Sequence, residues 1–191
     1  MPRVGLTREK VVEQAAAVAD EMGLDHLTLA AVAQRCGVSL PGLYKHVNGL
    51  DAVKRDIAVL AVREATAALA AGAVGVTGRE ALTEFARAYR DYARARPGHY
   101  AATLRAPTPG DTEHADAAAN AIGVIAAALK GYRLEGTALI HAIRLLRSAF
   151  HGIVSLEMAG GFGLPESLDE TYGHLVDALD AEFRTLGLQS R

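Results

Sequence analysis

A chain of 191 residues, half of them apolar and only 5% aromatic, is long enough for a small domain plus a larger one and builds its core on alanine, leucine and valine rather than remaining disordered. The net charge is −2, and residues 1–60 carry seven Lys/Arg against seven Asp/Glu, which excludes loose electrostatic coating of nucleic acid but leaves room for a binder that gathers its few cations on one face. The single cysteine, Cys36, excludes an internal disulfide; no stretch reads as a bilayer span and the start lacks a signal-peptide pattern, so the expected location is cytoplasmic, with no membrane partner.

Residues 1–6 are expected to form a short arm whose Arg3 reaches a neighbouring phosphate or the minor groove. Thr7 caps a first helix whose apolar positions Val11, Ala15, Val18 and Met22 recur at helical spacing, and Gly23 ends it. The stretch Leu27 to Val47 then reads as a helix-turn-helix. Thr28 caps a short helix through Cys36, Gly37 stops it because glycine reaches positive φ without steric cost, and Ser39 caps a second helix with Pro41 in its first turn. Val32, Ala33, Cys36, Val38, Leu43 and Val47 pack the pair together. Ser39, Leu40, Gly42, Tyr44, Lys45 and His46 are left around the start and outer faces of the second helix, and no acidic residue occurs between Asp25 and Asp51. Small and hydrogen-bonding groups on so short a helix suit insertion into the DNA major groove.

On these residues, Thr7 to about Val62 resembles the N-terminal domain of the tetracycline-repressor (TetR) family. The likeness is carried by Leu27-Thr28, Val32-Ala33-Gln34, Gly37-Val38-Ser39 and Pro41-Gly42-Leu43-Tyr44-Lys45-His46-Val47. It implies that residues 1–50 bind a palindromic double-stranded operator through Thr28, Ser39, Leu40, Pro41, Gly42, Tyr44, Lys45 and His46. It also implies that 51–191 form a helical domain that dimerises and binds a small-molecule effector relieving repression. Two places where the family often carries a basic residue hold Ala30 and Leu50, so Lys45, Lys54 or Arg55 must supply the charge facing phosphate.

Asn48-Gly49 makes a turn, and a long helix from about Asp51 to Ala71 turns Val53, Ile57, Leu60 and Ala68 inward. Gly72 to Thr77 is the expected hinge between domains. Thr77 and Glu80, at capping-box spacing, open a helix with Leu82, Phe85, Tyr89 and Tyr92 on one face. Arg96-Pro97-Gly98 breaks it, and His99 to Leu104 reads as a short helix. Further helices are expected from about Thr112 to Lys130, from Glu135 to Ala159, and from the Ser167/Glu170 capping box through Leu186. The total is nine helices and no strand, an all-α fold with a three-helix DNA-binding domain joined by a long helix to a larger helical domain.

The helix after Glu135 is apolar on two stripes. Leu139, Ile143, Leu146, Phe150 and Ile153 are bulky; Ala138, Ala142, Leu145, Ala149, Gly152 and Leu156 are mainly small. With Leu168, Tyr172, Leu175, Leu179 and Phe183 of the last helix, the second stripe is expected to form a four-helix bundle between two copies, with Ala138, Ala142, Leu145, Ala149 and Gly152 at the homodimer interface. Asp177, Asp180 and Glu182 are the expected partners of Arg144. Phe150 to Glu157 is similar to the His-Gly helix of one TetR-family C-terminal subgroup. An effector pocket is expected among Phe85, Tyr89, Tyr92, Tyr100, Ile122, Ile125, Phe150 and His151, because apolar walls with a few orienting polar groups are what small-molecule sites offer. Enzyme signatures and compact metal-ligand pairs are absent, so no catalytic residue, metal or cofactor is expected. The rival reading is a helical ligand-binding dimer, carrier or enzyme, whose helix-turn-helix no longer binds DNA.

Overall fold

The computed structural model describes residues 5–189, and Arg3 lies outside them. Among the described residues there are nine α-helices and no strand: α1 Arg8–Met22, α2 Leu29–Cys36, α3 Leu40–Leu43, α4 Leu50–Gly72, α5 Gly78–Ala95, α6 Pro97–Ala102, α7 Thr112–Ala128, α8 Gly136–Met158 and α9 Leu168–Gln189. They pack as two units. The first runs to Glu64 and takes in Ala95–Ala118; the second comprises Ala65–Arg94 and the chain from Ala119 onward. The division falls inside α4 and α7, not at Gly72–Thr77. That loop belongs to the second unit, because the end of α4 already packs on α5: a Cβ on Gly72 would touch the Glu84 carbonyl oxygen at 3.4 Å and Ala88 Cβ at 3.5 Å.

In the first unit, helices too short to be stable alone share one core of Val11, Ala15, Val18, Leu27, Val32, Leu43, Val47, Val53, Ile57 and Ala102. Met22, expected to face inward, is 42% exposed; Gly23 turns the chain away, and Leu27, 1% exposed, closes the core there instead. The short helix α6 begins at Pro97 rather than His99, since proline at a first helical position gives up no hydrogen bond, and it ends at Ala102. It lies directly on the backbone of α1. A Cβ on Gly98 would fall 2.2 Å from the carbonyl carbon of Ala19, so only glycine fits. The Asp20 carboxylate satisfies the helix start: Oδ1 accepts from Gly98 N at 2.8 Å and His99 N at 3.0 Å, and Oδ2 accepts from Arg96 Nε at 2.8 Å. The buried His99 ring joins it, with Nδ1 2.9 Å from Oδ2.

The start of α7 is tied to α4 by Arg55, which donates to Asp111, to Glu113 at 2.7 Å and to Asp56 at 2.9 Å. Asp56 also accepts from Arg8 at 2.6 and 2.8 Å. The Arg55 guanidinium holds the Asp111 carboxyl well below the usual carboxylate range and lowers that of Glu113. His114, one turn in, is 1% exposed, and its Nε2 has no hydrogen-bond partner among the described residues. Burial pushes its pKa down, against the opposing pull of Asp111.

In the second unit, Leu82, Phe85, Leu146, Phe150 and Phe183 are fully buried or nearly so. Arg90 of α5 joins α8 and α9: it makes a two-pronged bond to Glu157 (2.6 and 2.8 Å), donates to Asp169 at 2.6 Å and sits 4.5 Å from the centre of the Tyr172 ring. Tyr172 donates to the same Glu157 at 3.0 Å. Asp177 and Asp180 are taken by Arg79 and Arg184, not by Arg144. Among the described residues one helix, α8, is long and apolar enough by length and composition to cross a membrane. Two apolar stripes on one helix add up to such a window whatever covers them, so the window alone does not indicate a membrane span.

Gly98→Ala is expected to lower stability by about 1–3 kcal/mol, the usual cost of overpacking, whereas Gly123→Ala in open space on α7 should raise it by about 0.5–1 kcal/mol; urea midpoints at constant m compare the two. A second expectation concerns acid. The folded state holds His114 neutral, so its folded pKa lies below the unfolded value of about 6.5, and the unfolded chain takes up the extra proton as pH falls through that range. Stability therefore declines below about pH 6.5, a window separate from that of the depressed carboxylates, which begins near pH 4–4.5. His114→Gln should shallow the decline that begins as pH falls below about 6.5; an unchanged slope in urea titrations would place its origin elsewhere.

Candidate nucleic-acid interface and effector site

The helix-turn-helix is built by its caps. Thr28 Oγ1 accepts from Ala31 N at 3.2 Å, Gly37 ends α2 at φ 68°, and Val38 N donates back to the Ala33 carbonyl at 3.0 Å. Ser39 Oγ then accepts from Gly42 N at 3.3 Å, and Leu43 N donates to the Ser39 carbonyl at 3.0 Å. Leu43 of this helix and Val47, beyond the turn that follows it, are anchored in the core, which leaves Ser39, Leu40, Pro41, Tyr44 and Lys45 exposed and Gly42 and His46 half-buried. Thr28 is exposed, with its hydroxyl oxygen already used as a cap.

The cations divide sharply. Arg55 is occupied by three carboxylates and is withdrawn from any phosphate role, contrary to expectation. Lys45 is exposed and Lys54 half-buried. Arg35 pairs with Glu21 at the surface, an ion pair that exchanges readily with solvent and competing anions. Leu50 packs half-buried against the core, and Ala30 is exposed. Burial raises the pKa of the Cys36 thiol, which leaves it protonated and unreactive near neutral pH.

For the effector residues, Phe85, Tyr89 and Phe150 form one cluster with ring centres 5.9–6.4 Å apart. Tyr92 and His151 are half-buried and Ile125 is buried, but Ile122 is 53% exposed. Tyr100 is buried in the first unit. Two open cavities lie away from this cluster: one of about 320 Å³ in the first unit beside Arg8, Arg55 and Arg63, another of about 700 Å³ in the second beside Arg79, Tyr132 and Arg184. Of the interface residues, Ala142 and Phe183 are fully buried inside the chain and Tyr172 and Leu179 are 7% exposed, so these four pack within the second unit rather than face a partner. The Arg90–Glu157–Tyr172 network explains this for Tyr172, and the edge-on Tyr132 ring, 5.6 Å away, does so for Phe183. Leu145 is exposed; Ala138, Ala149, Gly152, Leu168 and Leu175 are half-buried. Sequence reasoning missed Asp20 and His114. Asp20 stands 78 residues before the backbone it caps, and no local pattern announces such a pairing.

A family profile described as "Tetracyclin repressor-like, C-terminal domain" matches residues 82–179. The chain is 34% identical over 170 residues to the HTH-type transcriptional regulator YobS of Bacillus subtilis, covering 89% of this chain and 88% of that one. It is 36% identical over 156 residues to the HTH-type transcriptional regulator Rv0681 of Mycobacterium tuberculosis, covering 81% and 72%. Among solved structures, a protein of unknown function from Rhodococcus sp. RHA1 matches with TM-score 0.74 at 22% identity, covering 95% and 97%. TetR of Acinetobacter baumannii AYE in complex with minocycline matches with TM-score 0.67 at 22% identity, covering 95% and 98%. At the N-terminal end the capped helix pair, and over the remainder these relatives, agree: the chain belongs to the TetR family of helix-turn-helix, DNA-binding transcriptional regulators.

Proposed function

We propose that this regulator is a homodimeric cytoplasmic repressor that binds a palindromic operator and is released from it by a small apolar effector. The observation that carries the DNA half is the outward face of α3: Ser39, Leu40, Pro41, Tyr44 and Lys45 meet solvent together, on a helix locked by its own cap, with no carboxylate between Asp25 and Asp51. In this reading residues 1–50 contact the duplex, and 51–191 dimerise and bind the effector. Tyr44, Lys45 and His46 position the protein on phosphates. The effector lies among Phe85, Tyr89, Tyr92, Ile125, Phe150 and His151, and a structural neighbour of the same fold crystallised with minocycline is a precedent for a small molecule bound by such a protein.

The dimer half rests on α8. Only 28% of its apolar window is buried within the chain, and Ile140, Leu145, Leu156 and Met158 are 40–51% exposed. Apolar surface on that scale marks an association site. Two copies joined there carry two recognition helices roughly one helical turn, ~34–36 Å, apart, which is why the operator is a palindrome.

The DNA test uses the purified protein and the duplex upstream of its own gene at several salt concentrations. Lys45→Ala with His46→Ala should weaken binding and flatten the log–log salt slope by about 0.9 for each phosphate that is no longer neutralised; unchanged affinity and slope would assign this surface wrongly. For assembly, Leu145→Asp places a charge in the proposed interface without touching the buried core and should yield monomers by sedimentation. A fully dimeric variant would count against α8.

A further inference from the structure

We infer that this regulator reads thymine through its C5-methyl group, with Leu40 as the reading side chain. The inference rests on the DNA-binding reading above and adds the base that α3 selects. At the start of α3 the exposed side chains other than Leu40 are poor readers of base edges. Ser39 Oγ already accepts a backbone hydrogen bond from Gly42, Pro41 has no polar side-chain atom, and Gly42 has no side chain. No Arg, Asn or Gln stands anywhere from Val38 to Val47, and Lys45, the one residue there able to pair with guanine, is placed on phosphate in the reading above, so no side chain is left for two-pronged bonds to guanine or adenine. What the helix offers is apolar: beside the compact Pro41 ring stands Leu40, a longer branched aliphatic group 39% exposed in the first turn, while Leu43 is fully buried. Ala30 of α2 adds a second small apolar group to the exposed surface.

Among natural base edges in the major groove, the only apolar group is the thymine methyl. An aliphatic side chain therefore gains there by removing that methyl from water, and gains nothing over guanine or unmodified cytosine. A 5-methylcytosine presents the same methyl on a G·C pair, which separates methyl reading from a general preference for A·T.

Full-length protein is used to enrich duplexes from a random-sequence library. The enriched duplex is then remade with deoxyuridine at each thymine in turn, which removes only the methyl, and with cytosine or 5-methylcytosine opposite guanine at the same place. At one thymine per half-site, deoxyuridine should weaken binding about three- to fivefold, the worth of one methyl-sized group removed from water. There 5-methylcytosine should bind tighter than cytosine by a similar factor. Leu40→Ala should abolish both differences while keeping the helix content and the salt slope. Deoxyuridine tolerated at every thymine, with the Lys45-dependent salt slope intact, would overturn methyl reading and leave DNA binding standing. A penalty that persists in Leu40→Ala would overturn the assignment to Leu40. Failure to enrich any duplex would overturn the DNA-binding reading and this inference together.

Discussion

The carboxylate of Asp20 holds α6 against α1, and the first unit depends on it. Four groups of one short segment converge on it, Arg96 Nε, the His99 ring and two backbone N–H groups that begin a helix and have no partner inside it. Without the carboxylate those groups face the backbone of α1 with nothing to accept from them, at a cost of about 1–3 kcal/mol each. Gly98 allows the approach and Asp20 makes it favourable; neither suffices alone. Through this contact a segment from the middle of the chain is packed with the helices that carry the DNA-reading surface, and Ala102 of α6 joins their core.

The same unit commits two of its arginines to its own packing. Arg55 and Arg8 are committed to fixing α4 and α7 through Asp56, Asp111 and Glu113. On the reading proposed above, a chain of net charge −2 with these arginines engaged leaves recognition to Lys45, Lys54 and uncharged contacts. Shape and a few side chains then matter more than field strength, which agrees with an exposed Leu40 at the tip of α3.

Local chemistry is legible in the sequence. Thr7, Thr28 and Ser39 cap where hydroxyls precede apolar periodicity, Gly37 adopts the left-handed conformation its place demands, and Ser167 caps α9 through Glu170 N. What escapes is long-range. Pro97 reads as a breaker and yet starts a helix, because whether proline ends one helix or opens the next depends on what accepts the neighbouring N–H groups, here Asp20. Met22 keeps the period of α1 and still faces solvent, since Leu27 from the following turn fills the site. Arg55 reads as a free cation because its partners Asp111 and Glu113 stand 56 and 58 residues away. For the aromatic residues, periodicity puts Phe85 and Tyr89 on one face, but helical spacing alone does not distinguish a cavity wall from a packed core.

Amide hydrogen exchange at Gly98 and His99 tests the central claim, that Asp20 makes α6 part of the DNA-reading unit, most directly. The account predicts protection at both amides comparable to that of Val18 in α1, and loss of that protection in Asp20→Ala with protection in α8 unchanged. Exchange at Gly98 and His99 in the unaltered protein as fast as at a fraying helix end would contradict it.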